Sequence, residues 1–158
     1  MFCQLQLIGK IVGNKLIKEL NLQLETDINS LNTLLSNFES NIAPLLPKNI
    51  GWQCETVLAE AFTNVVIHAH RNLPLSTPID IQVKLFRDRL EMCIWDHGEP
   101  FDLQAHLAAE KKFNHQFWQK EEGRGLQLIE NFTDYLNYKA KNKRNCLIMG
   151  KKIAKIRA

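Results

Sequence analysis

No apolar run in these 158 residues approaches the roughly 20 that a helix needs to cross a bilayer, so no membrane-spanning helix is expected. Cysteine is sparse. Cys3, Cys54, Cys93 and Cys146 lie far apart with no C-x-x-C pair, which argues against a disulfide framework and for free thiols in a reducing cytosol. Met1 to Gly9 lacks a basic leader segment and a small-residue cleavage site, so the expected location is cytoplasmic. There is no internal repeat and no low-complexity linker, and a chain of this length suggests one domain with a real core. Charge of one sign is also lacking. The net charge of +3 is too weak to argue for nucleic acid alone. The positive residues that gather late (Lys139, Lys141, Lys143, Arg144, Lys151, Lys152, Lys155 and Arg157) read as solvated strand faces and a loose tail.

What is present is ordinary soluble composition, 45% hydrophobic and 23% charged, with clear periodicity. Leu16, Leu20, Leu22 and Leu24 alternate with polar residues and predict a strand. Thr26-Asp27 can cap a helix after it, whose stripe is Leu31, Leu34, Leu35, Phe38 and Ile42 and whose end is set by Pro44 and Pro47. A second helix is expected from about Gly51 to Arg71. Ile79 to Leu85 and Leu90 to Trp95 alternate as a hairpin about Arg87-Asp88-Arg89. Leu103 to Glu122 reads as a polar lid with a short helical patch, Leu107 to Lys112. Gly123-Arg124-Gly125 opens a helix burying Leu126, Ile129 and Phe132, and two strands come after it, about 135–140 and 145–153. That order predicts an α+β sandwich, with helices on one face of a mixed, mostly antiparallel sheet.

Within the second helix Glu60, Asn64 and His68 recur every four residues and would project from one face. Leu58, Phe62, Val65, Val66 and Ala69 lie roughly opposite, and Val57 and Ile67 flank the stripe. Apart from Glu60, no charge lies between Glu55 and His68, so this is not an ordinary solvated face. A second cluster, Asp96-His97-Gly98-Glu99-Pro100-Phe101-Asp102, comes directly after a strand. The third is Gly123-Arg124-Gly125 at a helix start.

Each cluster has a chemical use. A carboxylate on a mostly apolar helix suits general-base work, and an amide oxygen one turn away is a hard ligand for Mg²⁺. A strand-end carboxylate with Gly two residues on can accept a hydrogen bond from a planar base while the Gly lets the ring approach. A Gly-rich turn into a helix offers N–H groups to phosphate, and Arg124 adds a charged fork. Taken singly, Asp96-x-Gly98 and Gly-Arg-Gly are ordinary turns and Glu60/Asn64 an ordinary satisfied pair. Together and in this order they are not. His68 is given no chemical role and is expected to hydrogen-bond so as to fix the loop at Arg71. His68 and His70 stand two apart and would diverge on a helix, so zinc held with Cys54 or His97 is not expected. His106 and His115 fall in the lid segment and read as solvated.

These residues resemble the GHKL, or Bergerat, ATP-binding fold: Glu60-x-x-x-Asn64 its N box, Asp96-x-Gly98 and Gly123-x-Gly125 its two glycine boxes. The closer resemblance is to the anti-sigma-factor serine-protein kinases of the RsbW type. Ala59 to His68, Pro100-Phe101-Asp102, and Gly125-Leu126 leading into Ile129-Glu130-Asn131-Phe132 carry it. It covers roughly residues 14 to 153, leaving 1–13 as an extension or extra strand and 154–158 as a basic tail. The resemblance implies ATP and Mg²⁺ as cofactors. It implies Glu60 as general base and Asn64 as Mg²⁺ ligand. Asp96 would read adenine with Gly98 beneath the ring, and Gly123, Arg124, Gly125 and Leu126 would hold the phosphates. It implies a serine/threonine protein kinase acting on an anti-sigma-factor antagonist and sequestering a sigma factor, with homodimerisation through the sheet.

Two departures matter. No histidine-bearing dimerisation domain precedes the fold, which disfavours an autophosphorylating histidine kinase. Arg144-Asn145-Cys146 stands where the family often has a Gly-Thr pair, and Asn145 could supply the polar contact. A partner-switch module that binds ATP without transferring phosphate therefore stays open. A nucleic-acid binder built on the basic C-terminal region is disfavoured by the lack of interleaved aromatics.

Overall fold

Alternation with period two lays down the sheet. In the computed structural model, which describes residues 15–114 and 125–154, β1 is Leu16–Glu25, β2 Pro78–Phe86, β3 Arg89–Asp96, β4 Tyr135–Lys141 and β5 Arg144–Lys152. β2 buries Ile79, Ile81, Val83 and Leu85 and turns Asp80, Gln82 and Lys84 to the other face. β3 is the central strand. It buries Leu90, Met92 and Ile94 on the same side as β2, and Glu91 and Cys93 on the opposite side. The order is β1-β2-β3-β5-β4, and every pairing among the described strands is antiparallel. The parallel component that a mixed sheet allows is not found, because the last hairpin folds back and slots β5 between β3 and β4.

Four helices are described: α1 (Ser30–Asn41), α2 (Lys48–Asn64), α3 (Leu103–Asn114) and α4 (Gly125–Phe132). Leu34 and Phe38 of α1 and Leu58 and Phe62 of α2 are wholly buried with the inner faces of β2 and β3 in one hydrophobic cluster. Each such side chain stabilises the fold by roughly 1.5–3 kcal/mol. A smaller cluster of Cys93, Cys146 and Ile148 with Trp95 and Tyr135 lies on the reverse face of β3, β4 and β5. Cys54, Cys93 and Cys146 are buried and in no disulfide, while Cys3 lies outside the described residues. No described helix is long and apolar enough to cross a membrane.

The elements differ from expectation at three places. α2 starts at Lys48 rather than near Gly51, because Pro47 supplies a preset start to the first turn. Gly51 lies inside the helix, close to Ala43. Thr26 does not cap α1: its hydroxyl donates to the Thr77 carbonyl at 2.7 Å, and Asp27 instead accepts from the Asn29 amide at 2.9 Å just ahead of the helix. The short helical patch expected at 107–112 is a helix of 12 residues, started by an Ala105 N–H···Asp102 Oδ1 bond and seated on buried Leu103 and Leu107. The remainder of the lid segment, and the extension at 1–13, lie outside the described residues.

Asn142 and Lys143 join β4 to β5 with φ of 54° and 60°. Positive φ at both central positions is the signature of the tight hairpin turn that matches strand twist, and Asn tolerates it better than Lys. Lys143→Gly is expected to stabilise the protein by about 1 kcal/mol, and thermal unfolding should show the midpoint rising by roughly 2–4 °C. An unchanged or lowered midpoint would mean that the turn is not strained.

Candidate functional site

All three residues of the polar stripe line one cavity. Glu60 and Asn64 are half-buried, but after Asn64 the helix widens into a π-helical turn, Val65–Ala69, closed by a His70 N–H···O=C Val65 bond of 2.8 Å. The extra residue in that turn rotates the chain beyond Asn64, so His68 is exposed and His70 is buried, 1% accessible. A four-residue spacing in sequence cannot reveal such a turn. The imidazole that ties this loop down is therefore that of His70, not His68.

α4 closes onto the same stripe. A β-carbon added at Gly125 would lie 3.0 Å from Glu60 Oε2 and 3.1 Å from Asn64 Nδ2, so the α4 N-terminus lies close against the carboxylate and amide, and a larger residue would have to push those side-chain ends aside. Leu126 is buried beneath it. Gly123 and Arg124 lie outside the described residues.

Asp96 ends β3 across from Asn145 on β5 and is buried. Its Oδ1 accepts two hydrogen bonds, from Gly98 N–H at 2.8 Å and from Asn145 Nδ2 at 2.9 Å. Asn145 Nδ2 also donates to the Gly98 carbonyl at 2.8 Å, so one amide braces both ends of the Asp96-His97-Gly98 turn. With Oδ1 saturated, Oδ2 is the acceptor left for an incoming donor. Gly98 lies against the end of the π turn. A β-carbon there would meet the Ala69 carbonyl oxygen at 2.5 Å, so no larger residue fits without moving backbone.

These pieces enclose a cavity of about 860 Å³, within the size range of small-molecule sites. Glu60, Asn64 and Gly125 line one part and Asp96, Ile94, Leu147, Tyr138 and Phe101 another. Phe101 and Tyr138 meet tilted at 47° with ring centroids 4.5 Å apart, and Phe101 meets His106 edge-on at 4.9 Å, giving that part of the cavity an aromatic wall. His106 thus has a place at the site that its position in a polar segment does not announce. Burial, with the nearby Asp96 carboxylate, pushes the Tyr138 phenol up and keeps it protonated at neutral pH.

Glu110 of α3 also enters the cavity and has no sequence signal. Its Oε2 accepts from the Gln127 amide at 2.9 Å, so a carboxylate occupies the first turn of α4, where the helix dipole favours negative charge. Burial pushes the Glu110 carboxyl up, and the backbone N–H groups of Gln127 and Leu126 partly offset that. A Lys111–Glu130 ion pair of 3.1 Å gives α3 a second tie to α4.

Glu60, Asp96, Glu99 and Glu110 put four carboxylates on the lining, against one arginine, Arg71, among the described residues. A polyanion enters such a cavity best with a divalent cation. The described residues hold no group of three or more His, Cys, Asp or Glu able to cage a metal. The donor set fits Mg²⁺, which keeps several waters and needs only one or two hard oxygens from the protein, here the Asn64 amide oxygen.

The histidine kinase-like ATPase domain family matches residues 24–151, and the chain belongs to that family. Among curated relatives, the serine-protein kinase RsbW of Staphylococcus epidermidis is 35% identical over 80 residues, 49% of this chain and 50% of the relative. The anti-sigma F factor of Anoxybacillus flavithermus is 30% identical over 89 residues, 56% of this chain and 60% of the relative. The chain spans about half the length of the curated relatives it matches.

Glu110→Gln removes a negative charge from the α4 N-terminus while keeping an acceptor for the Gln127 amide. Titration calorimetry should show the variant binding ATP with Mg²⁺ about 5–10 times more tightly, roughly 1–1.4 kcal/mol, with adenosine unchanged. Equal gains for both ligands would show that Glu110 does not compete with phosphate.

Proposed function

We propose that the protein is an ATP-dependent serine/threonine protein kinase of the anti-sigma type, which phosphorylates an anti-sigma-factor antagonist and sequesters a sigma factor. The observation that carries this is the meeting of Glu60 and Asn64 with Gly125 at one part of a cavity whose other part presents Asp96 beside an aromatic wall. The names of the two relatives supply the partner classes.

The chain's residues then divide the work. Asp96 Oδ2 accepts from the exocyclic amine of adenine, and Gly98 lets the turn that carries Asp96 pack against Ala69. Gly125 and Leu126, with Gly123 and Arg124, receive the phosphates at the α4 N-terminus. Asn64 holds Mg²⁺, which when bound offsets phosphate charge and leaves the γ-phosphorus open to attack. Glu60 takes the proton from the serine hydroxyl as its oxygen bonds to the γ-phosphorus and the bond to the β-phosphate oxygen breaks, releasing ADP. The product serine carries about −1.5 to −2 charge, which breaks the antagonist's complex with the kinase. The protein works in the cytoplasm as a homodimer in this reading, with no direct contact to nucleic acid or membrane.

The Glu110 carboxylate on the α4 amides favours a second reading, an ATP-binding partner-switch module that transfers no phosphate. Two variants separate them. Asp96→Asn should weaken ATP binding in calorimetry about 10- to 150-fold, since the lost contact is to a charged acceptor. Glu60→Ala should bind ATP normally yet slow transfer of labelled γ-phosphate to the antagonist by about 10²–10⁴-fold. Transfer at the wild-type rate in Glu60→Ala, or no transfer by the wild type, leaves the second reading; no ATP binding by the wild type removes both.

A further inference from the structure

His70 stands at the crossing of three segments and makes a complete set of bonds. The Thr26 hydroxyl donates to the Thr77 carbonyl at 2.7 Å, which uses its one proton. The 2.7 Å contact between Thr26 Oγ1 and His70 Nδ1 therefore has Nδ1–H as donor. Nε2 is then bare, and it accepts the His97 backbone N–H at 2.8 Å. The network assigns a single neutral tautomer, with both ring nitrogens satisfied. Burial pushes this imidazole down, and of the titratable groups that act on it Asp96 opposes that and His97 adds to it. A proton on Nε2 would face the His97 N–H.

His97 is the middle residue of the Asp96-His97-Gly98 turn. Its neighbours on both sides are held by Asn145, but its own amide is held by His70 alone among the bonds described. We propose that His70 is a positioning residue for the base-reading turn: its Nε2 fixes the His97 amide and thereby sets Asp96 and Gly98 at the distance and angle an adenine needs. This rests on the nucleotide-binding reading of the cavity. His70 does not line the cavity, so it acts through the turn and not on the ligand.

Two amide variants divide the imidazole. In His70→Gln the longer side chain can place its oxygen where Nε2 stood and keep the His97 bond, losing the one to Thr26. In His70→Asn the shorter side chain can keep a donor to Thr26 and loses the His97 bond. Each forfeits one buried hydrogen bond, so the thermal midpoints should fall by similar amounts. Binding should separate them. ADP with Mg²⁺ is expected to bind His70→Gln within about twofold of wild type and His70→Asn about tenfold more weakly. Hydrogen exchange of the His97 amide, read by NMR without ligand, should be slow in wild type and His70→Gln and at least tenfold faster in His70→Asn. Wild-type ADP affinity in His70→Asn, or unchanged His97 exchange there, overturns the proposal. A wild type that binds no nucleotide but shows the expected exchange pattern removes the nucleotide reading and still leaves His70 as the residue that sets the turn.

Discussion

The hydrogen bonds that converge on the end of β3 fix the geometry on which the rest of the site depends. β3 is the central strand, packed on both faces, so Asp96 emerges from the most constrained part of the sheet. Asn145 then braces Asp96 from the neighbouring strand, and Gly98 turns the chain back onto the same oxygen. Such an arrangement orders one carboxylate oxygen entirely with protein donors and reserves the other. Little reorganisation remains when a donor arrives, and rigid support of this kind is what gives a polar contact its selectivity. The π turn after α2 is part of the same constraint. It delivers Ala69 to within contact of Gly98 and swings His70 inward beneath His97.

The strands are legible in the sequence because a half-buried strand needs only alternation, and Ile79 to Leu85 carries it without a break. The helix bearing Glu60 and Asn64 is legible for the opposite reason, two polar groups four apart where apolar residues would otherwise be expected. Asp96, Gly98 and Gly125 stand out by residue type and order, and the structure brings Asp96 and Gly125 to one cavity with Glu60 and Asn64, with Gly98 behind Asp96 in the turn. Features that depend on helix register or on contacts between distant segments leave no such mark. A π turn shifts register without a signal in composition, so spacing points to His68 where the structure turns His70 inward. Glu110 lies on a helix of ordinary polar sequence, and only the docking of α3 against α4 gives it a role. Asn145 lies between these cases: the missing Gly-Thr pair marks its place beside the base pocket, but its two bonds to the turn have no trace in the sequence.

The two parts of the cavity are built on different principles. Around Asp96 one carboxylate oxygen is already satisfied by neutral donors and the other is open, so that part is arranged for an incoming donor before anything binds. At the α4 N-terminus the Gln127 amide is satisfied by a carboxylate that belongs to the protein, so on the proposed reading a phosphate seated on that amide would have to take the place of Glu110. Displacing Glu110 also releases one of the ties that hold α3 to α4, the other being the exposed and therefore weak Lys111–Glu130 pair. On the proposed nucleotide reading, the share of affinity from the base would then be constant. The share from phosphate would be conditional on where α3 lies, and so on whatever else bears on α3. On that reading, discrimination between nucleotides that differ only in phosphate number would arise in the second part, and a partner protein that touches α3 would alter it without reaching the base.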